Sequence, residues 1–267
     1  MPASAMPEGL EAEIYRRVAA TCVGRTIHRV QVDDFQTEAR ALQWSLPGAS
    51  ITDVWRHGKL VIVDLVSADG GQLALGLHFG MTGRLVVNGA PAIERLEYSS
   101  HRDDPAWDRL IVEFDDERVL RVNDPRRWAK FTLVPDSSRL GPDVLSITRG
   151  DLTIALQGRV RALKAVLLDQ TLIAGFGNLC VDEVLWHAAL DPHRPGGLVS
   201  PREVGRLWRA TVTELPAMLQ RGGSHTGTIH PQRRSVGGRC PKPRCPGVLQ
   251  RSVVGGRTTV WCPNHQS

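Results

Sequence analysis

The last 47 residues of this chain, Arg221 to Ser267, contain no Asp or Glu but eight Arg or Lys. Because the whole chain has a formal net charge of +5, residues 1–220 together have a net charge of −3. All the excess positive charge therefore lies at the C-terminal end, which indicates a polyanionic partner, with nucleic acid as the first candidate. A basic segment that only keeps the surface solvated is the alternative.

The sequence also lacks any apolar run approaching the roughly 20 residues that cross a membrane, and no signal-peptide pattern opens it. We therefore expect a cytoplasmic protein with no membrane partner, associated with the nucleoid if its partner is DNA. The five cysteines are an odd number in a chain without an export signal, which argues against a disulfide framework. The length of 267 residues and the hydrophobic content of 42% are sufficient for two compact units with cores of their own.

The first candidate for chemistry is the segment Met6–Glu11, which reads Met-Pro-Glu-Gly-Leu-Glu. If translation starts at Met6 and this residue is removed, Pro7 becomes a free secondary amine with the Glu8 carboxyl beside it. A chain-terminal amine, with a pKa of roughly 7.7–8.0, is partly unprotonated near neutrality and can attack an electrophilic carbon to form an imine. The alternative is helix capping, because Pro at the first helical position and acids in the first turn are common.

The N-terminal half is predicted to be one helix followed by strands. Apolar residues recur every four positions from Leu10 to Cys22, which predicts an amphipathic helix. From Thr26 to Val134, short runs of β-forming residues at short spacing predict a sandwich or a barrel. The predicted strands are Ile27–Val32, Leu60–Val66, Leu73–Leu77, Leu110–Phe114, Val119–Val122 and Phe131–Val134.

Three motifs in this β-rich region contain candidate DNA contacts. Lys59 ends the basic turn Arg-His-Gly-Lys and could bind a phosphate or stabilise an oxyanion, although a solvated lysine fits the pattern equally well. Met81 lies between two glycines, and Arg126 and Trp128 lie in the motif Asp-Pro-Arg-Arg-Trp. Arg with an aromatic or Met side chain is the combination that inserts into a base stack and fills the gap. Taken singly, each of these residues is more often an ordinary core or surface residue.

The C-terminal half is predicted to be helical. A Pro/Ser cluster that begins at Pro135 separates the two kinds of sequence, so we place a domain boundary there, with a long surface loop as the alternative. Ser200 and Glu203 form a capping box that starts a helix, and the helical pattern stops at Gly222. The motif Gly-Phe-Gly-Asn ends at Asn178, where an amide and backbone N–H groups at a helix N-terminus would bind a phosphate. A Gly-rich turn with Asn178 as a plain N-cap is the alternative.

A metal-binding pattern lies at the C-terminus. Cys240, Cys245, Cys262 and His265 have the spacing C-x4-C-x16-C-x2-H, with a Gly-Gly pair placed as a hairpin turn between the two halves. Two close pairs separated by a hairpin can enclose a tetrahedral zinc ion, which is structural when all four ligands are protein groups. A segment this short has little core, so the metal would supply its folding energy. We predict one structural zinc ion.

Together these motifs resemble the formamidopyrimidine-DNA glycosylase/endonuclease VIII family of bifunctional DNA repair glycosylases. The matching pieces stand in the family's order: Pro-Glu-Gly-x-Glu, His-Gly-Lys, His-x-Gly-Met-x-Gly, Asp-Pro-Arg-Arg-aromatic, Leu-Leu-Asp-Gln, Gly-x-Gly-Asn and a zinc hairpin. The resemblance implies an α+β fold: an N-terminal β-sandwich with a leading helix, a helical helix-two-turn-helix domain and a C-terminal zinc-binding β-hairpin. We assign residues 1–134, 135–232 and 233–267 to these domains, with residues 1–5 as an extension.

The resemblance also implies a base-excision repair enzyme that removes oxidised bases from double-stranded DNA and cleaves abasic sites as a lyase, acting as a monomer. Pro7 would attack C1′ of the damaged nucleotide, Glu8 would be the general acid/base, and Lys59 would bind phosphate and assist catalysis. The imine would make the C2′ proton acidic, so that β- and δ-elimination cut the strand. The residues implied in DNA binding are Met81, Arg126 and Trp128, which fill the void left by the flipped base, and Lys164, Asn178 and Arg257, which contact phosphates.

The sequence departs from the family pattern at several points. Residues 1–5 would keep the nucleophile in an amide unless Met6 is the true start or the extension is clipped. Only sixteen residues separate Gly223 from Cys240, fewer than in the branch that clamps oxidised purines, so we expect the endonuclease VIII-like side, with oxidised pyrimidines and abasic sites as substrates. The other substitutions are Leu10 for a second Pro, Trp128 for Phe, Cys180 for Tyr and His265 for a fourth Cys.

Two other functions remain open on the sequence alone. One is a catalytically silent protein of the same fold that binds damaged DNA, favoured if residues 1–5 stay attached. The other is a zinc-stabilised nucleic-acid-binding regulator. Such a regulator would have no need for Pro7 and Glu8 together with Lys59.

Overall fold

The computed structural model describes residues 7–33, 37–94, 96, 102–234 and 237–267. In it the chain forms two compact units. One comprises residues 11–138, and the other comprises residues 7–10 together with residues 139–267. The three-part domain division that the sequence suggested stays a prediction.

The unit of residues 11–138 is a sandwich of two antiparallel sheets. One sheet has the strand order β1-β7-β8-β5-β6 and the other the order β2-β3-β4-β9. Two helices accompany them, α1 (Gly9–Ala19) and α2 (Ala39–Ser45). The strands are β1 (Ile27–Val32), β2 (Ser50–His57), β3 (Leu60–Val66), β4 (Gln72–His78), β5 (Arg84–Val87), β6 (Ala90–Pro91), β7 (Asp108–Phe114), β8 (Val119–Asn123) and β9 (Lys130–Leu133).

The core of the sandwich is filled by aliphatic side chains from both sheets, as the β-forming runs predict. Leu65 of β3 and Leu110 of β7, for example, are fully buried in the same cluster. All six predicted strands are confirmed to within two residues at their ends. The sequence did not predict β2, because its polar residues interrupt the apolar run, nor the short elements α2, β5 and β6.

The second unit is helical. Its core cluster is formed chiefly by helices and includes Leu10, the second residue of α1. Capping boxes at Thr148 and Ser200 start α3 and α6, and the second of these was predicted. The helices are α3 (Arg149–Leu156), α4 (Leu163–Leu167), α5 (Asn178–Ala188) and α6 (Pro201–Gln220).

The same unit ends in a two-stranded hairpin, β10 (Gln250–Val254) and β11 (Arg257–Trp261). Gly255 and Gly256 form its turn, both with positive φ, as hairpin turns of this length require. Trp186 of α5 is buried in one cluster with residues of the hairpin segment. The α+β fold class predicted from the sequence is therefore confirmed. Among the helices of the described residues, none is long and apolar enough to cross a membrane.

Candidate active site and DNA-binding residues

Glu8 is buried and its carboxylate lies at the N-terminus of α5. Its Oε1 accepts a hydrogen bond of 2.7 Å from the backbone N–H of Leu179, and its Oε2 accepts one of 2.9 Å from that of Cys180. Both donors are among the N–H groups that a helix leaves unsatisfied at its start. The positive end of the helix dipole stabilises a negative charge at this point. The carboxylate is therefore held in one orientation, directly after Pro7 in the chain.

Gly177 leaves the space that the Glu8 side chain occupies. A Cβ at this position would lie 2.2 Å from the carboxyl carbon of Glu8, closer than any real contact. The residue after Glu8 is fixed to the same segment by a hydrogen bond: the Gly9 N–H donates to the carbonyl oxygen of Gly175 at 2.8 Å. The Pro-Glu-Gly and Gly-Phe-Gly-Asn motifs, more than 160 residues apart in sequence, therefore form one structural site.

Asn178 is the first residue of α5 and is 92% buried, with 8% of its surface exposed. Its Oδ1 has no hydrogen-bond partner among the described residues. Because an amide oxygen and nitrogen are assigned from their partners, this unpaired end can also present Nδ2. The next two backbone N–H groups of α5, which the sequence suggested as phosphate ligands, donate to Glu8 instead.

Lys164 lies in a buried cluster of charges. Its Nζ is fully buried, 2.5 Å from Oδ1 of Asp182 and 3.0 Å from the carbonyl oxygen of Thr258. Asp182 Oδ2 also accepts hydrogen bonds from Arg234 at 2.5 Å and from the backbone N–H of Val260 at 3.1 Å. Burial lowers the pKa of Lys164 below its ordinary value, although the neighbouring Asp182 charge opposes this effect. The cluster ties α4 and α5 to β11.

Replacement of Asp182 by Asn is expected to destabilise the helical unit by about 3–5 kcal/mol, because it removes the ion-pair partner of two buried cations, Lys164 and Arg234. Lys164→Met should cost less, since Asp182 keeps Arg234 as its partner. Urea unfolding, followed by circular dichroism, measures both changes. Asp116→Asn is the control, because its ion pair with Arg25 is partly exposed and such pairs contribute about 0–1 kcal/mol. Equal losses for Asp182→Asn and Asp116→Asn would contradict the prediction.

Glu183, the next residue of α5, holds the segment that follows α6. Its Oε1 accepts from the Thr228 N–H at 2.6 Å and its Oε2 accepts from the Ile229 N–H at 2.8 Å. The ring of His187 lies 3.0 Å from the same carboxylate. Burial raises the pKa of Glu183, but the hydrogen bonds outweigh this effect and the pKa lies below its ordinary value. Glu183 is therefore an ionised anchor for residues 227–229.

Arg257 is half-buried at the first position of β11, opposite Val254 in the hairpin register. The turn beside it lies against α4, since a Cβ at Gly255 would be 3.1 Å from the Cβ of Ala165. Arg257 is thus held at the tip of a fixed hairpin.

Three cysteines come together at the base of the hairpin. The sulfur atoms of Cys240, Cys245 and Cys262 lie within 4.8 Å of one another, and those of Cys245 and Cys262 are 3.8 Å apart. Two thiolates on one tetrahedral zinc ion, each at about 2.3 Å, are separated by about 3.8 Å, so the spacing fits this metal. His265 lies outside the group, with its Nε2 2.8 Å from the carbonyl oxygen of Trp186.

In the sandwich unit, Lys59 lies in the β2–β3 turn, at the sheet end where His78 pairs with Leu60 and with Lys130. Burial lowers the pKa of His78 below its ordinary value, and the charges of Lys59 and Lys130 lower it further. His78 is therefore neutral near pH 7, and the two ammonium groups make this end of the sheet positive. A phosphate suits such a position.

Met81, Arg126 and Trp128 are brought together in the sandwich unit, as the sequence suggested. Nη1 of Arg126 lies 4.0 Å from the sulfur of Met81, and its Cζ lies 5.8 Å from the centre of the Trp128 ring. Met81 is 7% exposed, whereas Trp128 is 52% exposed, a large value for an aromatic ring. Arg126 thus links the buried Met81 to the exposed Trp128 ring, and we call these three side chains the wedge.

Comparisons with known proteins identify the family of this arrangement. The family model of the formamidopyrimidine-DNA glycosylase N-terminal domain matches residues 6–131, and that of the formamidopyrimidine-DNA glycosylase H2TH domain matches residues 140–230. The chain belongs to the formamidopyrimidine-DNA glycosylase family. Formamidopyrimidine-DNA glycosylase of Paracoccus denitrificans is 33% identical over 293 residues, covering 97% of this chain and 99% of that protein. The protein of the same name from Xanthomonas campestris is 35% identical over 280 residues, covering 96% and 98%.

Solved structures of this family share the fold. A Lactococcus lactis Fpg mutant in complex with Fapy-dG-containing DNA has a TM-score of 0.80 and 24% identity, with 98% of this chain and 100% of that chain covered. Lactococcus lactis Fpg with DNA containing an abasic site has a TM-score of 0.79 and 23% identity, with 97% and 99% covered. The predicted family and its enzyme class, DNA glycosylase, are confirmed, whereas the relatives' names do not support placement on the endonuclease VIII-like side.

Three residues important for these sites were not singled out from the sequence. Asp182 and Glu183 are adjacent acids in α5, a mostly apolar helix, and acids in such a helix are a signal for buried partners. Asp124 precedes Pro125, and an Asp at this position often accepts hydrogen bonds from backbone N–H groups that follow it.

Proposed function

We propose that this protein removes oxidised bases from double-stranded DNA and then cleaves the strand as an abasic-site lyase, with Pro7 as the nucleophile. The observation that carries this proposal is the Glu8 carboxylate fixed at the N-terminus of α5, directly beside Pro7 in the chain. A buried carboxylate that is held by two backbone N–H groups at a helix N-terminus, next to a candidate nucleophile, is an arrangement typical of functional sites. The active form would begin at Pro7, and the match to the N-terminal family model, from residue 6, supports this start.

The reaction follows from these two residues. The Pro7 nitrogen forms a bond to C1′, the bond from C1′ to the base breaks, and the base leaves with a proton. Glu8 would transfer protons as the deoxyribose ring opens and the iminium forms. Loss of the C2′ proton then breaks the C3′–O bond, and a second elimination breaks the C5′–O bond. Water would then hydrolyse the iminium, which frees Pro7 and releases the five-carbon sugar remnant as an unsaturated aldehyde. The products would be the free base, this aldehyde and a gap flanked by two phosphates.

The remaining sequence-predicted residues would bind the DNA. Lys59 would contact a phosphate from the positive end of its sheet, and the wedge would fill the void left by the flipped base. Asn178 and Arg257 would contact phosphates near the lesion. A phosphate contact by Lys164 would require its ammonium to leave Asp182. We therefore propose that Lys164 supports DNA binding indirectly, by holding β11 of the hairpin in place.

We also propose that the three cysteines bind a structural zinc ion with His265 as the fourth ligand. The Trp186 carbonyl can only accept a hydrogen bond, so Nε2 of His265 carries the proton and Nδ1 keeps its lone pair for a metal. Metal-binding histidines commonly donate their other N–H to a backbone carbonyl in this way. The ion would stabilise the fold of the hairpin.

The substrate range we propose is oxidised pyrimidines and abasic sites. The segment between Gly223 and Cys240 is short, and Glu183 anchors part of it to α5. A segment held in this way has little length with which to enclose a large oxidised purine. We further propose that the protein acts as a monomer associated with the nucleoid.

The chemistry is tested by borohydride trapping on duplex DNA with one abasic site, using protein that begins at Pro7 as verified by mass spectrometry. The expected result is a covalent adduct on Pro7, because borohydride reduces the imine to a stable amine. Protein that retains residues 1–6 is the matched control and should give no adduct, since its Pro7 nitrogen is an amide. Absence of an adduct with a free Pro7 would favour a DNA-binding protein without catalytic activity.

A further inference from the structure

Asp124 is completely buried, and its carboxylate holds the segment that carries Arg126 and Trp128. Its Oδ1 accepts a hydrogen bond of 3.1 Å from the Arg126 N–H. Its Oδ2 accepts one of 2.7 Å from the Trp128 N–H and one of 2.8 Å from the Ala129 N–H. An ionised carboxylate is an acceptor at both oxygens, so it can satisfy all three donors at once.

The same carboxylate also reaches the segment that carries Met81. The hydroxyl of Thr82, the residue after Met81, donates a hydrogen bond to Oδ1 of Asp124. The two segments also touch directly, since a Cβ at Gly80 would lie 2.5 Å from the carbonyl group of Trp128. A side chain at Gly80 would therefore push the two segments apart.

The backbone of Asp124 is itself fixed. Its N–H donates a 2.7 Å hydrogen bond to the carbonyl oxygen of Trp107, and its carbonyl oxygen accepts one of 2.8 Å from the Arg109 guanidinium. Arg109 forms an ion pair of 2.7 Å with Asp33, and both side chains are more than 90% buried. Arg127, between the two wedge residues, has a φ of 58°, a left-handed conformation that is unfavourable for a residue with a side chain. The surrounding hydrogen bonds hold this conformation.

We propose that Asp124 is a positioning residue that presents the wedge in its inserting conformation before DNA binds, with Thr82 as the link to Met81. The proposal rests on the proposed function. Asp124 itself does not touch DNA, because it is buried and negatively charged. A wedge that is already ordered loses less conformational entropy on insertion. We therefore expect the Asp124 carboxylate to increase the rate of reactions that require a base pair to be opened and to leave the rate of imine formation unchanged.

Two variants test this with different expected severity. Asp124→Asn puts an NH2 group against backbone N–H donors, so part of the segment loses its acceptor. Thr82→Val removes only the link to the Met81 segment and leaves the three backbone hydrogen bonds intact. Thr82→Ser keeps the hydroxyl and should restore wild-type behaviour. Asp116→Asn is the control for the same chemical change in an exposed turn.

The readout is a ratio of two activities under single-turnover conditions. One is base removal from a duplex with the oxidised base that the wild-type protein removes fastest. The other is strand cleavage at an abasic site in single-stranded DNA, where no base stack has to be opened. For Thr82→Val we expect base removal to fall about tenfold with unchanged single-strand cleavage, and for Asp124→Asn about a hundredfold.

Equal losses in the two assays, or no loss in either, would overturn the proposal. If Asp124→Asn fails to fold, Thr82→Val and its rescue by Thr82→Ser decide the question. A wild-type protein that begins at Pro7 and cleaves neither substrate would contradict the proposed function instead, so the two failures are distinguishable.

Discussion

Replacement of Glu8 by Gln is expected to slow base excision by roughly 10²–10⁴-fold, the usual contribution of a positioned general acid/base. The amide has almost the same shape as the carboxylate but does not exchange a proton near neutral pH. Its NH2 group would also face one of the two N–H donors of α5, at Leu179 or Cys180. Single-turnover excision on a duplex with an oxidised pyrimidine measures the effect.

DNA binding should survive the change at Glu8, because the carboxylate is buried and faces the protein backbone. Affinity for a duplex with an uncleavable abasic-site analogue, measured by fluorescence anisotropy, checks this. Glu13→Gln is the matched control: it alters an acid in α1, the helix that begins directly after Glu8, where it bonds to Arg16 at 2.9 Å, and excision should stay near the wild-type rate. Parallel losses of binding and excision in Glu8→Gln would assign this residue to folding alone.

Replacement of Cys262 by Ser is expected to remove the bound zinc and to unfold the hairpin. A serine hydroxyl is not deprotonated as a thiolate is, so the site loses a strong ligand and, with it, much of the metal's contribution to folding, which is on the order of 10 kcal/mol for structural zinc. Metal content per chain and urea unfolding measure both effects. Affinity for duplex DNA should fall with the hairpin, because Arg257 lies on it.

Cys22→Ser provides the matched control for zinc loss. Cys22 is as fully buried as Cys262 but lies in the sandwich core, apart from the cysteine cluster. Cys22→Ser should lower the free energy of unfolding somewhat and leave one zinc ion bound per chain. His265→Ala should weaken zinc retention against a chelator without abolishing it. Full zinc content in Cys262→Ser would refute the three-cysteine site, and unchanged retention in His265→Ala would remove His265 from it.

Much of the fold could be predicted because its signals are local. The almost continuous run of apolar, mostly β-branched residues in β3 and the capping box at Ser200 both specify structure within a few residues of sequence. The strand β2 was missed because its pattern includes charged residues that the sheet places outward, so alternation alone does not separate it from a loop. Helix α3 was missed although Thr148 and Asp151 form a capping box there.

The site was predictable in its residue types and not in its connections. The pairing of Glu8 with the first turn of α5 depends on residues about 170 positions apart, and no local pattern encodes it. The role of Asp124 depends on backbone N–H groups, which every residue except Pro has and the sequence therefore does not reveal. The role of Asp182 depends on its ion pairs with Lys164 and Arg234, which lie 18 and 52 positions away. For Lys164 the sequence predicts a phosphate contact, whereas the structure places its ammonium against the buried Asp182 carboxylate.

The two carboxylates of α5 have a consequence for the C-terminal 47 residues, which have no acidic side chain of their own. Asp182 neutralises Arg234 and holds the β11 backbone, and Glu183 holds the backbone at Thr228 and Ile229. The carboxylates that contact this segment are therefore supplied by α5, a helix earlier in the chain. As an isolated peptide, this segment would keep its metal ligands and its positive charge but would lose the two carboxylates that hold Arg234 and its backbone.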